Sequence, residues 1–386
     1  MKLINVLFLS QWYPHRYDQM FGLFVQKHAE AVSINCRVKV LYVHPDEKIN
    51  HFESEEKTRN NLTELIVYYP VKKQKQHQKI SNSINYCIAY WKGYKQIRHD
   101  GFHPDIVHAN ILTRTGAVAY LLKLLKGTPY IITEHWSRYL PGRNSFNGAF
   151  RKLITRWIVK NAKAILPVSE NLKQAMLSHK LENNNYIIVN NVVDDYFFNE
   201  NLIVHRLKKR IIHVSCFDEQ AKNIKGILRA IFELSKSRED FELILIGTGK
   251  DFNRTKNYAS KLDFPKGMIH FIGEKTSEEV ANWMQNSDLL LLFSNYETAG
   301  VVIAESLICG KPVLTTNVGI APEYINAKNG KIVPLKNEKI LLKELHFMLD
   351  HLDEYNCPEI KAEVLYKFDY KSIGNQIEKI YTEILA

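Results

Sequence analysis

Glu297 and Glu305 stand eight positions apart in the stretch Phe293-Ser294-Asn295-Tyr296-Glu297-Thr298-Ala299-Gly300-Val301-Val302-Ile303-Ala304-Glu305-Ser306-Leu307-Ile308-Cys309-Gly310-Lys311-Pro312-Val313. An apolar run at 289–293 reads as a buried strand leading into the first glutamate. A helix carries the second until Gly310 and Pro312 stop it. Eight residues of continuous helix would rise about 12 Å and swing the second carboxylate off the face of the first. The two acids therefore do not grip one atom. Glu297 is expected in the loop and Glu305 in the helix, which suits an elongated ligand with hydroxyls at two separated places. Free N–H groups at the start of that helix favour a phosphate between them. The plainer alternative is a solvated helix face with Glu305 paired to Lys311. Ala304, Ser306, Leu307 and Ile308 make the helix largely apolar, however, and a charge on such a helix needs a reason.

The elements that would hold such a corner alternate along the chain. Strand signals at 3–9, 37–43, 104–108, 130–133, 164–168 and 186–189 are interleaved with helix signals at 24–32, 84–98, 115–126, 146–161 and 171–178. Residues 46–61 are polar and read as a loop or hairpin excursion, and 195–209 as a linker. The pattern then restarts, with strands at 211–215, 241–246, 268–272, 289–293 and 312–315 and helices near 224–236, 253–262, 277–286 and 299–309. Such alternation implies parallel sheets covered on both faces. Residues 370–385 form an amphipathic helix able to return to the first unit. The expected fold class is α/β, two doubly wound Rossmann-like domains facing each other across a cleft. Residues 1–195 form the first domain, 196–368 the second, and 369–386 the returning helix.

Length and composition bound the function. A chain of 386 residues, 45% hydrophobic and 24% charged, is globular and long enough for two ordinary domains. No apolar run approaches the length that spans a bilayer, and the first ten residues read as a strand rather than a leader. Five scattered cysteines give neither a disulfide framework nor zinc spacing, the histidines show no ligand spacing, and no metal is expected. A cytoplasmic location follows. The net charge of +11 divides into +14 over residues 1–190 and −3 over 191–386, so the first half points to an anionic partner. Between 137 and 164, Arg138, Arg143, Arg151, Lys152, Arg156, Lys160 and Lys163 occur with no acid, interleaved with Phe146, Phe150, Leu153, Ile154, Trp157 and Ile158. This is either a basic amphipathic helix lying on an anionic membrane or a core-facing apolar stripe with a solvated basic face. A second cluster, Lys72, Lys73, Lys75 and Lys79, favours peripheral membrane contact. Nucleic-acid binding ranks last without a base-stacking motif. A dehydrogenase is disfavoured without a complete Gly-x-Gly-x-x-Gly after a strand.

Several short motifs follow one another in order: Gly22-Leu23-Phe24-Val25-Gln26-Lys27-His28-Ala29, Pro104-Asp105-Ile106-Val107-His108, Thr133-Glu134-His135, Pro167-Val168-Ser169-Glu170, Val189-Asn190-Asn191-Val192-Val193-Asp194, the segment 217–226, Ile246-Gly247-Thr248-Gly249, the two-glutamate stretch, and Gly319-Ile320-Ala321-Pro322-Glu323. Each is weak alone. Together, over nearly the full length, the chain resembles the retaining GT-B glycosyltransferases of family 4. The resemblance implies that the second domain binds a nucleotide-sugar donor, a UDP- or GDP-sugar, with no further cofactor. Glu305 would bond the ribose hydroxyls and Glu297 would lie by the donor sugar. The amides of Ala299, Gly300 and Val301 would lie near the diphosphate. Lys222 matches the lysine that neutralises the diphosphate, with Lys225 close by. A fixed cation there stabilises the charge that the leaving group gains. Gly273 and Glu274 fall in the loop that meets the base. His135 would face the donor sugar from the first domain and orient hydroxyls, and Gly22 would let backbone approach the ligand.

The chain departs from the family pattern at Ser215-Cys216, where relatives often carry Gly-Arg, the arginine being a second diphosphate cation. Cys216 supplies no positive charge, so Lys225 or a first-domain cation would compensate. At Phe21-Gly22 one glycine stands where many relatives have two. Gly247-Thr248-Gly249-Lys250 reads as a turn at a strand end. The leading expectation is a metal-independent retaining hexosyltransferase acting on a lipid-linked or surface-polysaccharide acceptor at the cytoplasmic membrane face. The alternatives are a nucleotide-sugar epimerase on the same fold and a basic membrane-binding module without catalysis.

Overall fold

The computed structural model describes residues 3–71, 76–143, 145–199 and 206–386. Its first sheet contains β1 Asn5–Ser10, β2 Arg37–Asp46, β3 Glu53–Arg59, β4 Leu62–Pro70, β5 Ile106–Asn110, β6 Tyr130–Glu134 and β7 Ile165–Pro167. The spatial order is β3-β4-β2-β1-β5-β6-β7, and only the β3–β4 hairpin is antiparallel. The second sheet contains β8 Lys209–Val214, β9 Phe241–Ile246, β10 Ile269–Gly273, β11 Leu289–Leu291, β12 Val313–Thr316 and β13 Gly330–Val333, in the order β10-β9-β8-β11-β12-β13, all parallel. The central strands are continuous buried runs, such as Val6–Leu9 in β1, because helices cover both faces. Two parallel-sheet α/β domains result.

Helices Gln76–His99, Leu112–Lys126 and Ala149–Asn161 cover one face of the first sheet around Leu7, Leu9, Leu41 and Val107. Helix Leu23–Ser33 and the final helix Tyr370–Leu385 cover the other around Val6, Phe8 and Ile131. The final helix inserts Ile373, Ile377, Ile380 and Tyr381 there, and Tyr381 Oη meets His108 Nδ1 at 2.5 Å. Gly374 permits the approach: a Cβ on it would lie 2.2 Å from the Ala31 carbonyl oxygen. The chain end is thus keyed to β5, in the middle of the first sheet.

Some details differ from the sequence expectation. The excursion after residue 46 is a full hairpin whose second strand, β4, pairs with β2 along nine residues. Residues 186–189 do not form a strand. They run beside β7 through single bonds, Ile187 N to Ile165 O and Val189 N to Pro167 O. The helix expected from 146 begins at Ala149, because Phe146 turns into the core against Tyr139 and Gly148 has φ 97°. The strand expected over 289–293 is cut to Leu289–Leu291 as the chain leaves for the loop that carries Glu297. Lys72, Lys73 and Lys75 lie outside the described residues, as does the Lys79 side chain. No helix among the described residues is long and apolar enough to cross a membrane.

Strand order reverses between β1 and β5 in the first sheet and between β8 and β11 in the second. Ligand crevices in such sheets open beyond the carboxyl ends of the strands at the reversal. The loops after β8 and β11 carry Lys222 and Glu297, and those after β1 and β6 carry Gly22 and His135.

Candidate active site

Glu297 sits in the loop after β11, as expected. Its Oε1 accepts a hydrogen bond from Lys222 Nζ at 2.5 Å and one from Ser294 Oγ at 2.8 Å. Lys222 ends the short helix Glu219–Lys222, and Asn223 then turns left-handed (φ 48°) before helix Ile224–Ser235. Burial works to depress the Lys222 ammonium. The Glu297 carboxylate, with Cys216 and Asp218, more than offsets this, and the pKa lies above the ordinary lysine value. Lys225 goes elsewhere, its ammonium lying over the Tyr258 ring at 5.3 Å.

Glu305 lies in helix Val301–Ile308 and lines a cavity of about 350 Å³ together with Cys216, Gly247, Thr248 and Glu274 of its own domain and Lys27 of the first. Burial pushes its pKa up to about 7, with Lys27 pulling it down and Asp194 adding to the rise. The charges that act on Glu305 are therefore Lys27 and Asp194, not the Lys311 of the plainer sequence reading. Lys27 Nζ is 2.7 Å from Asp194 Oδ2, and Tyr370 Oη donates to the same carboxylate at 2.9 Å. The two glutamates have separate partners, in keeping with their spacing.

Gly300 caps the Glu305 helix with φ 70°, a left-handed conformation that glycine adopts without strain. The amides of Val301 and Val302 open the helix, where the first N–H groups lack intrahelical acceptors, and Ile303 N already bonds Gly300 O at 2.8 Å. Ala299 is locked by the Ile320 amide on its carbonyl (2.8 Å), and Gly319 is required there, since a Cβ would approach Ala299 O to 2.3 Å. Gly247 and Gly249 form the expected turn at the end of β9. Cβ atoms on them would meet Ser215 O at 1.9 Å and Phe217 N at 2.8 Å. Gly273 is open: its added Cβ would meet nothing within 4 Å, and Glu274 beside it is exposed at the cavity rim.

From the first domain, His135 is buried with its Nδ1 3.1 Å from Asn191 Oδ1. With that oxygen as acceptor, Nδ1 carries the proton and Nε2 is a lone-pair acceptor. Nε2 is buried and has no hydrogen-bond partner among the described residues. Burial, reinforced by His28 and His108, holds the His135 pKa well below the ordinary value, so the ring is neutral. Glu134 positions it. This buried carboxylate accepts the amides of Leu112 (3.0 Å), His135 (2.9 Å) and Trp136 (2.7 Å), while burial raises its pKa to about 7. Ile111, next to Leu112, has φ 70° and ψ 101°, a positive-φ conformation rare for a β-branched residue and found where strain serves a site. Gly22 (φ 69°) leaves no open space where its side chain would be. That space holds the Trp12 carbonyl, 2.3 Å from where a Cβ would be. Its role is to let helix Leu23–Ser33 start against the loop after β1, with Lys27 and His28 one turn further on.

The two halves of the chain match two family models in sequence order: Glycosyltransferase Family 4 over residues 35–196 and Glycosyl transferases group 1 over residues 198–356. The chain is a GT-B glycosyltransferase of family 4. It is 29% identical over 311 residues to an uncharacterized glycosyltransferase of Methanocaldococcus jannaschii, covering 80% of this chain and 83% of that one. Among solved structures it resembles sucrose-phosphate synthase from Thermosynechococcus elongatus, with TM-score 0.77, 15% identity and 99% of each chain covered. Anabaena HepE in complex with UDP gives TM-score 0.74 and 15% identity, over 98% of this chain and all of that one. The likeness to both structures is one of fold.

Several residues of this glycosyltransferase that bridge the cleft were not singled out from the sequence. Ser169 Oγ donates to Thr298 O, and Glu323 accepts the Glu170 amide at 2.9 Å. Asn190 joins the halves, its carbonyl 3.1 Å from His28 Nε2 and its Oδ1 accepting from Tyr324 Oη at 2.7 Å. Lys27 is the most consequential omission. On an amphipathic helix a lysine reads as solvated, and only the fold turns it toward the second domain. Its signal was the motif it occupies, next to His28.

Proposed function

We propose that this glycosyltransferase is a metal-independent retaining hexosyltransferase. It takes a hexose from a UDP- or GDP-sugar and passes it to a lipid-linked or surface-polysaccharide acceptor at the cytoplasmic membrane face. The observation that carries the donor assignment is the cavity of about 350 Å³, which sets Glu305 and the loops after β8 and β9 against Lys27 of the other domain. In this reading Glu305 accepts ribose hydroxyls and Gly273 and Glu274 border the base. The diphosphate lies toward the amides of Ala299, Gly300 and Val301. HepE, whose structure contains UDP, supports a nucleotide ligand through its shared fold.

As the bond between the sugar and the diphosphate breaks, its electron pair passes to the phosphate oxygen. Fixed cations stabilise that charge most where water is excluded. Lys222 supplies one. Lys27 supplies the second, replacing the arginine that Cys216 lacks. Retention places the new bond on the face that the leaving group vacates. The acceptor hydroxyl therefore gives its proton to the departing phosphate oxygen, and no protein base is needed on the opposite face. His135, neutral and with a free acceptor at Nε2, orients a donor hydroxyl rather than removing a proton. The epimerase and the non-catalytic module gain no support from the family or the relatives.

The test is transfer of labelled hexose from UDP- and GDP-sugars to lipid-linked acceptors, with the product anomer read by NMR. Lys222→Ala and Glu305→Ala should each abolish transfer without unfolding the protein. Full activity in either variant, an inverted product, or isomerisation of the nucleotide-sugar without acceptor would refute the reading.

A further inference from the structure

The three helices on the outer face of the first domain, Gln76–His99, Leu112–Lys126 and Ala149–Asn161, contain eleven Lys and Arg and no Asp or Glu. The sequence left it open whether the apolar stripe of the last helix faces the core or the outside. It faces out: Phe150, Leu153, Ile154 and Trp157, spaced i, i+3, i+4, i+7, are 77%, 65%, 38% and 56% exposed. Thr155, Ile158 and Val159 make the core contacts instead. Leu121, Leu124 and Leu125 on the second helix and Trp91 on the first are also exposed. Between the first two helices opens an apolar cavity of about 140 Å³, walled by Tyr90, Trp91, Leu121 and Leu125 and floored by Leu9 and Leu41. Apolar cavities of about 150 Å³ stay dry and accept hydrocarbon.

We propose that this face docks on an anionic lipid bilayer, its aromatic and leucine side chains entering the acyl boundary, and that the cavity receives the hydrocarbon tail of a lipid. Charge selects the occupant. An apolar surface set among cations and free of acids on all three helices matches phosphate headgroups above acyl chains. A second copy of the chain would bring like charge against like. A chain of contacts links the cavity wall to the candidate site. The wall residue Tyr90 donates through Oη to Ser10 O at 3.2 Å, next to the floor residue Leu9. Two residues on, Trp12 packs against Trp136, the neighbour of His135, with ring centroids 5.1 Å apart. A tail held here would keep its headgroup near the cleft. The inference rests on the proposed function only in making that lipid the acceptor.

The full chain is sedimented with vesicles of equal parts phosphatidylglycerol and phosphatidylcholine, or with phosphatidylcholine alone. Binding should be at least about tenfold stronger to the anionic vesicles and weaken with added salt. The paired substitution Phe150→Ser with Trp157→Ser should lower it about tenfold, leaving UDP or GDP binding and the melting temperature unchanged. Acyl chains carrying bromine should quench Trp91 fluorescence, and Trp91→Phe should remove that part of the signal. Equal binding to both vesicles, unchanged binding by the paired variant, or a stable dimer in light scattering that the same substitutions dissolve would overturn the proposal. Nucleotide binding without vesicle capture defeats this inference alone. Vesicle capture without sugar transfer defeats the proposed function and leaves the docking face standing.

Discussion

Lys222 Nζ lies 2.5 Å from Glu297 Oε1, so the cation and the carboxylate that flank the donor corner are a single ion pair joining the loops after β8 and β11. Both side chains are largely buried, 14% and 11% exposed, and removing one partner leaves the other charge uncompensated. Glu297→Gln should therefore destabilise the protein by about 3 kcal/mol. Combining it with Lys222→Met should cost less than the two single changes added. Urea unfolding of the four proteins of that cycle measures the coupling; strict additivity would show that the pair does not hold the loops together.

Glu305 gives a pH dependence with a definite sign. Its folded-state pKa of about 7 lies above the ordinary 4.5, so the folded protein binds this proton more tightly than the unfolded chain does. The carboxyl costs nothing below the lower value, and its penalty grows as pH rises through the window to about 7. Glu305→Gln should then be more stable than the parent at pH 8 by about 3 kcal/mol, and equal to it at pH 4. Thermal melts at the two pH values check this, and an unchanged difference across pH would refute it.

His135 is expected to remain neutral throughout the working range, since burial and two neighbouring histidines all oppose its charge. NMR titration of its ring carbons should show no protonation between pH 8 and about 5. A midpoint near the ordinary histidine value would contradict the orienting role assigned to Nε2.

Gly22→Ala places a methyl 2.3 Å from the Trp12 carbonyl carbon at a left-handed φ. The expected loss is more than about 2 kcal/mol, seen as a lowered denaturation midpoint. A near-neutral substitution would mean that the loop after β1 yields freely.

Much of the architecture was legible because period and punctuation agreed. Residues 241–246 and 370–385 match their elements residue for residue, and the loop-then-helix placement of Glu297 and Glu305 follows from Gly300 and Gly310. Strand β4 was hidden because Glu64 interrupts its apolar run. That carboxylate is buried, paired through Tyr13 Oη at 2.6 Å and Arg59, partners that only the fold supplies. Lys225 looked interchangeable with Lys222 from spacing alone, and the left-handed turn at Asn223 separates them. Lys27 and Asn190 occupy motifs legible in the sequence, but their roles were not, because they act on partners more than a hundred residues away.

Lys27 yields a prediction on affinity. If it replaces the cation missing at Cys216, Lys27→Ala should weaken nucleoside diphosphate binding about tenfold, and Cys216→Arg in that background should restore it. Calorimetric titration of the three proteins decides the matter. Failure of the arginine to rescue would place Lys27 in a purely structural pair with Asp194.

The central claim, a nucleotide-sugar site built on Glu305 and facing Lys27, is tested most directly by titrating UDP and GDP into the protein and into Glu305→Ala by calorimetry. The account predicts saturable one-to-one binding of at least one of the two by the parent, weakened at least about tenfold in the variant. Absence of binding to either nucleotide, or equal affinity in both proteins, would contradict it.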